Sequence, residues 1–275
     1  MVDLEAYFAR VGYAEAGEPT LETLATLQRL HPAAIPFETI DVWLGRTIDL
    51  SPAAVDAKLI TGRRGGYCFE HNSLFLRVLT ALGFTAEPLI ARSRWGRSPE
   101  EVGARTHMAL KVWIDGEAWL ADVGFGGCMQ TAPLRMDERG PQATAFEPRR
   151  LRPLGEAPDD GTSAGDLRLE VLIGDDWRPV CDLSRQTQTA ADLEAANWFI
   201  STHPGSNLRR HLVAARTLIE ARYVLTDNRL AIRRAGRETV LKLLDAAGLE
   251  RALTEDFGLR IRPEWRPMIQ TVADG

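Results

Sequence analysis

The spacing of apolar residues changes period near Gly83, and that change restricts the architectures open to the chain. Before it the repeat is helical. In TLETLATLQRL, residues Leu21, Leu24, Leu27 and Leu30 share one helix face, with Thr20 or a neighbour as cap. DLEAYFARV takes Asp3 as its cap and stops at Gly12, while SPAAVDAKLI opens with Ser51 as cap and Pro52 at the first helical position. CFEHNSLFLRVLTALGF carries Phe69, Leu74, Phe75, Val78, Leu79 and Leu82 and ends at Gly83, where a helix-terminating glycine belongs. From about Phe84 to Leu183 strand-like runs take over: EPLIARSRW, THMALKVWI, EAWLADV, LRLEVLI and DWRPVCDL. EAPDDGTSAGD (156–166) reads as an exposed loop. A short helix near TAADLEAANWFIS precedes a tail with strands at RYVLT and RLAIRR and a helix near GLERALTEDFG. The pattern predicts an α+β protein with a helical first part, a β-rich middle and a mixed tail.

Composition excludes more than it selects. A chain of 275 residues with 45% hydrophobic and 26% charged residues suits several packed subdomains of a globular protein. A net charge of −5 argues against a nucleic-acid surface. No apolar stretch approaches the roughly 18 residues that a membrane span needs. The start, MVDLEAYFARVGY, lacks a cationic leader followed by an apolar run, so no signal peptide is expected. Cys68, Cys128 and Cys181 form a sparse, odd set, which fits a reducing cytoplasm better than a disulfide framework.

One cysteine stands in an unusual setting, RRGGYCFEHN (63–72). Gly65 and Gly66 permit a sharp turn just before a helix that begins at about Cys68. At a helix N-terminus, unpaired N–H groups and the positive dipole end favour a thiolate. A reactive cysteine also needs a base. His71 would share the helix face of Cys68, but no carboxylate is placed to orient it. His107 is better supported. Asp115-Gly116 is a strong two-residue hairpin signal, and residues facing each other across that turn have numbers summing to 231. Ala109 then faces Asp122, and His107 becomes a diagonal neighbour of Asp122 on one sheet face. Met108, Leu110, Val112 and Ile114, with Trp119, Ala121 and Val123, form the opposite, aliphatic face. Cys68, His107 and Asp122 would supply a thiolate nucleophile, a proton shuttle and a carboxylate that fixes the imidazole tautomer.

At these residues the sequence resembles the arylamine N-acetyltransferase family. PTLETLATLQRLHPAAIPFETID, RGGYCFEHN, RTHMALKV, WLADVGFGG and ANWFISTHPGS match its motifs in order, over most of residues 1 to about 206. The resemblance implies a helical domain carrying the nucleophile (1–83), a β-barrel-like domain carrying His107 and Asp122 (84–190) and an α/β lid (191–275), around a core like that of cysteine proteases. It implies acetyl-CoA as acyl donor, with no metal or prosthetic group, and arylamines, hydrazines or N-hydroxyarylamines as acceptors. The acetyl group would pass through an S-acetyl Cys68.

Further roles follow from the same resemblance. Gly124, Phe125, Gly126 and Gly127, with Ser201, Thr202 and Ser206, would meet the CoA portion. Phe37, Thr106, Phe125 and Leu208 would line the acceptor pocket, and Glu38 with Arg64 would brace the cysteine loop. Three positions depart from the common pattern: His71 stands where glutamine is common, Thr39 where asparagine is frequent, and Leu208 where phenylalanine is. The last two put acceptor preference in question. The glycine spacing matches neither a P-loop nor a dinucleotide fingerprint. A homodimer is compatible with this reading. Alternatives are a papain- or transglutaminase-like hydrolase, an amide synthase of natural-product assembly, and a binding module built on a Cys68-x2-His71 metal pair. That last option lacks a second ligand pair.

Overall fold

The computed structural model describes residues 2–15, 17–155, 166–234, 237 and 239–275. The loop expected over 156–166 lies outside the described residues except for Asp166. In the first part, helix α1 (Leu4–Val11) is capped by Asp3, whose Oδ1 accepts the Ala6 N–H at 2.9 Å, and ends at Gly12 with φ 76°. Helix α2 (Leu21–Ala34) is capped by Thr20 and buries Leu24 and Leu27 completely. A two-residue strand, β1 (Phe37–Glu38), leads to the short helix α3 (Ile40–Trp43). Helix α4 (Pro52–Asp56) starts on Ser51 and Pro52 and continues as a wider π turn over Ala57–Thr61. Helix α5 (Cys68–Ala81) carries the cysteine at its first position and buries Phe69, Leu74, Phe75, Val78 and Leu79. Full burial of each such side chain contributes about 2 kcal/mol.

The middle of the chain forms a seven-stranded antiparallel sheet. Its members are β2 (Thr85–Ser93), β3 (His107–Ile114), β4 (Glu117–Ala121), β5 (Leu134–Arg135), β6 (Arg149–Pro153), β7 (Leu167–Ile173) and β8 (Asp176–Leu183). Their order is β5-β4-β3-β2-β8-β7-β6. Gln142 ties its two edges together. The Gln142 side chain exchanges hydrogen bonds with the backbone of Arg135 on β5, at 2.8 and 3.0 Å. Its backbone exchanges two more with Arg149 on β6, at 2.7 and 2.9 Å. The sheet is thereby nearly closed into a barrel, with Leu89, Ala109, Leu120, Leu151, Leu169 and Val180 in its interior.

The β3–β4 hairpin turns on Asp115 and Gly116, with φ of 51° and 81°. Its register pairs Leu110 with Ala121 and Val112 with Trp119, so facing numbers sum to 231. The aliphatic face packs with helix α5 in the first core. The other face is covered near His107, where Ala109 and Leu120 lie inside the barrel. Towards the turn it opens, and Trp113 is exposed.

The last part contains helices α6 (Ala190–Thr202) and α7 (Asn207–Arg210) and strands β9 (Val213–Thr217), β10 (Arg222–Thr226), β11 (Arg229–Arg233) and β12 (Val240–Leu243). Helix α8 (Ala246–Arg251) and the terminal helix α9 (Arg266–Asp274) pack on Leu225, Leu230 and Trp265 in a third core. The five-stranded sheet runs β1-β9-β10-β11-β12, so the first part of the chain supplies its edge strand. The pairing Phe37↔Ala215 sets Phe37 against the last third of the protein. Strands β9 and β12 and helix α9 were not among the sequence expectations. VAART alternates weakly, all four residues of β12 are exposed, and Pro263 and Pro267 mask the start of α9.

Candidate active site

The cysteine loop is shaped by close approach. Neither Gly65 nor Gly66 adopts a positive φ; the left-handed residue is Arg63, at 47°. A Cβ on Gly65 would lie 1.9 Å from the Pro36 carbonyl oxygen, and one on Gly66 would lie 2.6 Å from Glu70 Oε2. The glycines are needed because strand β1 and the helix mouth crowd the loop. Glu70 Oε2 accepts the Tyr67 N–H at 3.0 Å and so anchors the start of α5.

Beneath the loop lies a buried charge network. Arg64 reaches Glu38 Oε1 through Nε at 3.1 Å and Nη2 at 2.5 Å, and Asp41 Oδ2 at 2.8 Å. Lys58 bridges Asp41 and Glu70 at 2.9 and 2.7 Å. Burial alone would raise Asp41, but Lys58 and Arg64 hold it well below the ordinary carboxylate range. A network satisfied on both sides specifies one geometry, whereas removing one member leaves a buried charge unpaired.

Cys68 is 5% exposed, and its Sγ lies 3.7 Å from the Thr106 carbonyl oxygen. The hairpin brings the next residue, His107, against it. His107 Nε2 is 2.8 Å from Asp122 Oδ2, which leaves Nδ1 for the neighbouring Cys68 sulfur. Burial opposes charge on this ring, but Asp122 and Cys68 outweigh it and push His107 up to about 10. Burial likewise opposes charge on Asp122, and His107, Asn72 and the Gly124 N–H reverse it, so its pKa is lowered. Phe125 lies edge-on to the imidazole, 4.9 Å between ring centres.

Asn72 is the residue that reading the sequence overlooked. It lies one helical turn beyond Cys68, and its Nδ2 donates to Asp122 Oδ1 at 3.0 Å and to the Met108 carbonyl at 2.7 Å. Its Oδ1 accepts the Val123 N–H at 3.2 Å. One side chain thus ties both arms of the hairpin to helix α5. The i+4 spacing within the cysteine motif was the available signal. Gly124 completes the fit, since a Cβ there would stand 2.7 Å from Cys68 Cα.

His71 points elsewhere. Its Nε2 donates to the Pro36 and Gly66 carbonyls at 3.2 and 3.1 Å. Its Nδ1 therefore accepts from His31 Nε2 at 2.9 Å, and His31 Nδ1 accepts from the Tyr7 hydroxyl at 2.9 Å. Burial lowers His71 to about 4 and holds His31 well below its usual value. With both nitrogens engaged, His71 is not available for a metal pair with Cys68. Among the described residues no cluster of three or more His, Cys, Asp or Glu side chains is suited to a metal.

Cys68 and His107 open onto a cavity of about 600 Å³. Phe37, Thr106, Gly124, Phe125, Gly127, Ser206 and Leu208 line it as well. Three expected contacts do not. Gly126, at φ 74°, is covered by the Phe37 ring. Ser201 Oγ donates back to the Asn197 carbonyl at 2.7 Å, and Thr202 Oγ1 to that of Trp198 at 2.5 Å. Both hydroxyls are occupied by their own helix. His211, Trp95 and Phe199 line the cavity without having been expected there.

The sequence profile of the N-acetyltransferase family matches residues 20–266. An arylamine N-acetyltransferase of Mycobacterium tuberculosis is 40% identical over 264 residues, covering 94% of this chain and 90% of that one. An arylamine N-acetyltransferase / N-hydroxyarylamine O-acetyltransferase of Salmonella typhimurium is 35% identical over 260 residues, covering 94% and 89%. The structure of the Mycobacterium marinum arylamine N-acetyltransferase in complex with CoA superimposes with a TM-score of 0.88 at 37% identity, covering 99% of this chain and 98% of that one.

Proposed function

This chain belongs to the arylamine N-acetyltransferase family, and from that premise we propose that it acetylates arylamines and hydrazines from acetyl-CoA by double displacement at Cys68. The observation that carries the reading is the sulfur held against an imidazole that is itself clamped by a buried carboxylate, at the wall of a cavity able to admit a thioester. The ring keeps its proton on the thiol side, which leaves sulfur as the nucleophile.

In the first half-reaction Cys68 Sγ attacks the thioester carbonyl carbon. The bond from that carbon to the CoA sulfur breaks, and the departing thiolate takes the proton from His107 Nδ1. The developing oxyanion faces the Cys68 N–H, which at the first helical position has no intrahelical acceptor. In the second half-reaction the amine nitrogen attacks the S-acetyl carbon and gives its proton to Nδ1. The carbon–Sγ bond then breaks and the thiolate returns. Asp122 stays ionised throughout and stabilises the imidazolium.

Phe37, Phe125 and Leu208 form an apolar wall for a planar aromatic acceptor, and Gly124, Gly127 and Ser206 leave room for the donor's pantetheine arm. N-hydroxyarylamines would accept the acetyl group on oxygen by the same steps, an extension suggested by the Salmonella relative's name. We read residues 191–275 as the lid over this cavity. Clearance of foreign aromatic amines in the cytoplasm fits such an acceptor range. The test is intact mass after brief exposure to acetyl-CoA without amine. The parent chain should gain one acetyl group, and Cys68→Ala should gain none and lose turnover by about 10⁴-fold or more. Acetylation of the Cys68→Ala chain, or none of the parent, would refute the assignment.

A further inference from the structure

Just beyond the Gly124–Gly127 loop, where the barrel meets the lid, two fully buried guanidinium groups converge on one carbonyl oxygen. Arg149 on β6 is 1% exposed and Arg222 on β10 is 2% exposed. Both donate through Nη2 to the Met129 carbonyl, at 2.9 and 3.1 Å. Arg149 Nη2 also reaches the Cys128 carbonyl at 2.8 Å and its sulfur at 3.4 Å. Arg222 Nη1 meets both oxygens of Glu147 at 3.2 Å, and Arg233 claims the same carboxylate at 3.3 Å. Arg222 and Arg233 therefore share a single carboxylate, and Arg149 has none.

The donors are left over as well. Arg149 Nε and Nη1 and Arg222 Nε are buried and have no hydrogen-bond partner among the described residues. A guanidinium carries five N–H donors and does not give up its charge inside a protein. Two like charges drawn to one oxygen in a low-dielectric interior repel each other unless negative charge lies between them. Burial, with Arg149 adding to it against Glu147, holds Arg222 below its ordinary value. Phe146 stacks on Arg222 at 4.7 Å. Phe146 and Glu147 also line a second cavity, of about 340 Å³, whose rim carries Arg233, Arg234 and Arg237. Phe146 and Glu147 connect this basic rim to Arg222.

We propose that Arg149 and Arg222 form a buried binding site for a small monovalent inorganic anion, chloride in the cell, which locks the Cys128–Met129 segment to lid strand β10. The consequence reaches the active site through the chain itself. Cys128 follows Gly127 directly, and β10 contributes Val224 and Thr226 to the catalytic cavity. An anion in this place holds the glycine loop and the lid in one relative position, so it acts on positioning and not on bond making. The proposal is independent of which acyl acceptor the enzyme uses.

The experiment is thermal unfolding of the full chain in sodium chloride against sodium gluconate at constant ionic strength. Chloride should raise Tm saturably, by about 3 °C at ten times Kd, whereas the bulky gluconate should not. Arg149→Met and Arg222→Met should each abolish the difference, and Arg152→Gln, at an exposed position on β6, should keep it. Should the methionine variants fail to fold, bromide anomalous scattering from crystals of the parent chain decides the matter. A peak within contact of both guanidinium groups supports the site. Identical melting in both salts, or an ordered water alone between the arginines, overturns it.

Discussion

Helix α5 has a buried histidine site on either side, and the two carry opposite charge states. His107 faces Asp122 at 2.8 Å and is pushed up to about 10. His71, one turn from Cys68, faces two carbonyls and the neutral His31, and is lowered to about 4. Both rings are essentially inaccessible, at 5% and 0% exposure. Burial alone favours the neutral ring, so the partner decides the outcome. A carboxylate partner favours the charged ring, whereas carbonyl oxygens do not overcome burial and leave a neutral strut. The strut holds Gly66, two residues before Cys68, and Pro36, next to Phe37, in fixed relation.

Removing the carboxylate should have the largest effect on this contrast. Asp122→Asn keeps the shape but deprives His107 of its counter-charge, and single-turnover acetylation of Cys68 should slow by about 10³–10⁴-fold. A loss under tenfold would mean that Asp122 is not the orienting group. Asn72→Ala severs the links from α5 to Asp122, Met108 and Val123. It should cost on the order of 2–3 kcal/mol in denaturant unfolding, together with a fall in kcat. Unchanged stability would show that the hairpin is held by packing alone.

The pH dependence of stability separates the two histidine sites. His71 binds a proton less readily folded than unfolded, so its contribution is complete above about 6.5 and declines as pH falls towards about 4. His107 binds one more readily when folded. Its contribution is complete below about 6.5 and declines as pH rises towards about 10. Each arm should amount to a few kcal/mol, at about 1.4 kcal/mol per pKa unit. His71→Gln, which can still donate to a carbonyl and accept from His31, should flatten the acid arm while keeping activity. Denaturant midpoints across pH would show this, and an unaltered acid slope would exclude His71 as its source. The smallest effect is expected at Thr202. Its hydroxyl is engaged by Trp198, so Thr202→Val should leave KM for acetyl-CoA within about twofold.

Local chemistry was legible wherever neighbours in sequence are neighbours in space. The caps at Asp3, Thr20 and Ser51, the stop at Gly12 and the turn at Asp115-Gly116 each depend on a few consecutive residues. The hairpin register follows from that turn, so His107 and Asp122 could be placed on adjoining positions before any fold was known. Their distance from Cys68 could not be derived that way, because it depends on how α5 packs against β3. The glycine pair was read as a need for unusual backbone angles, whereas contact with Pro36 and Glu70 is what excludes a side chain. Ser201 and Thr202 were expected to meet the CoA portion, and the return of their hydroxyls to carbonyls of their own helix leaves no mark in the motif.

What the order of residues determined by itself was therefore the inventory: a thiol at a helix mouth, an imidazole and a carboxylate on one hairpin, and the periods that make those elements. Tertiary structure alone decided which histidine is charged, how Gln142 closes the barrel and why two arginines meet at Met129. The physical reason is that hydrogen bonds within a turn or cap act over three or four residues. Desolvation and ion pairing act through whatever the folded chain brings within a few ångströms, however far apart in sequence.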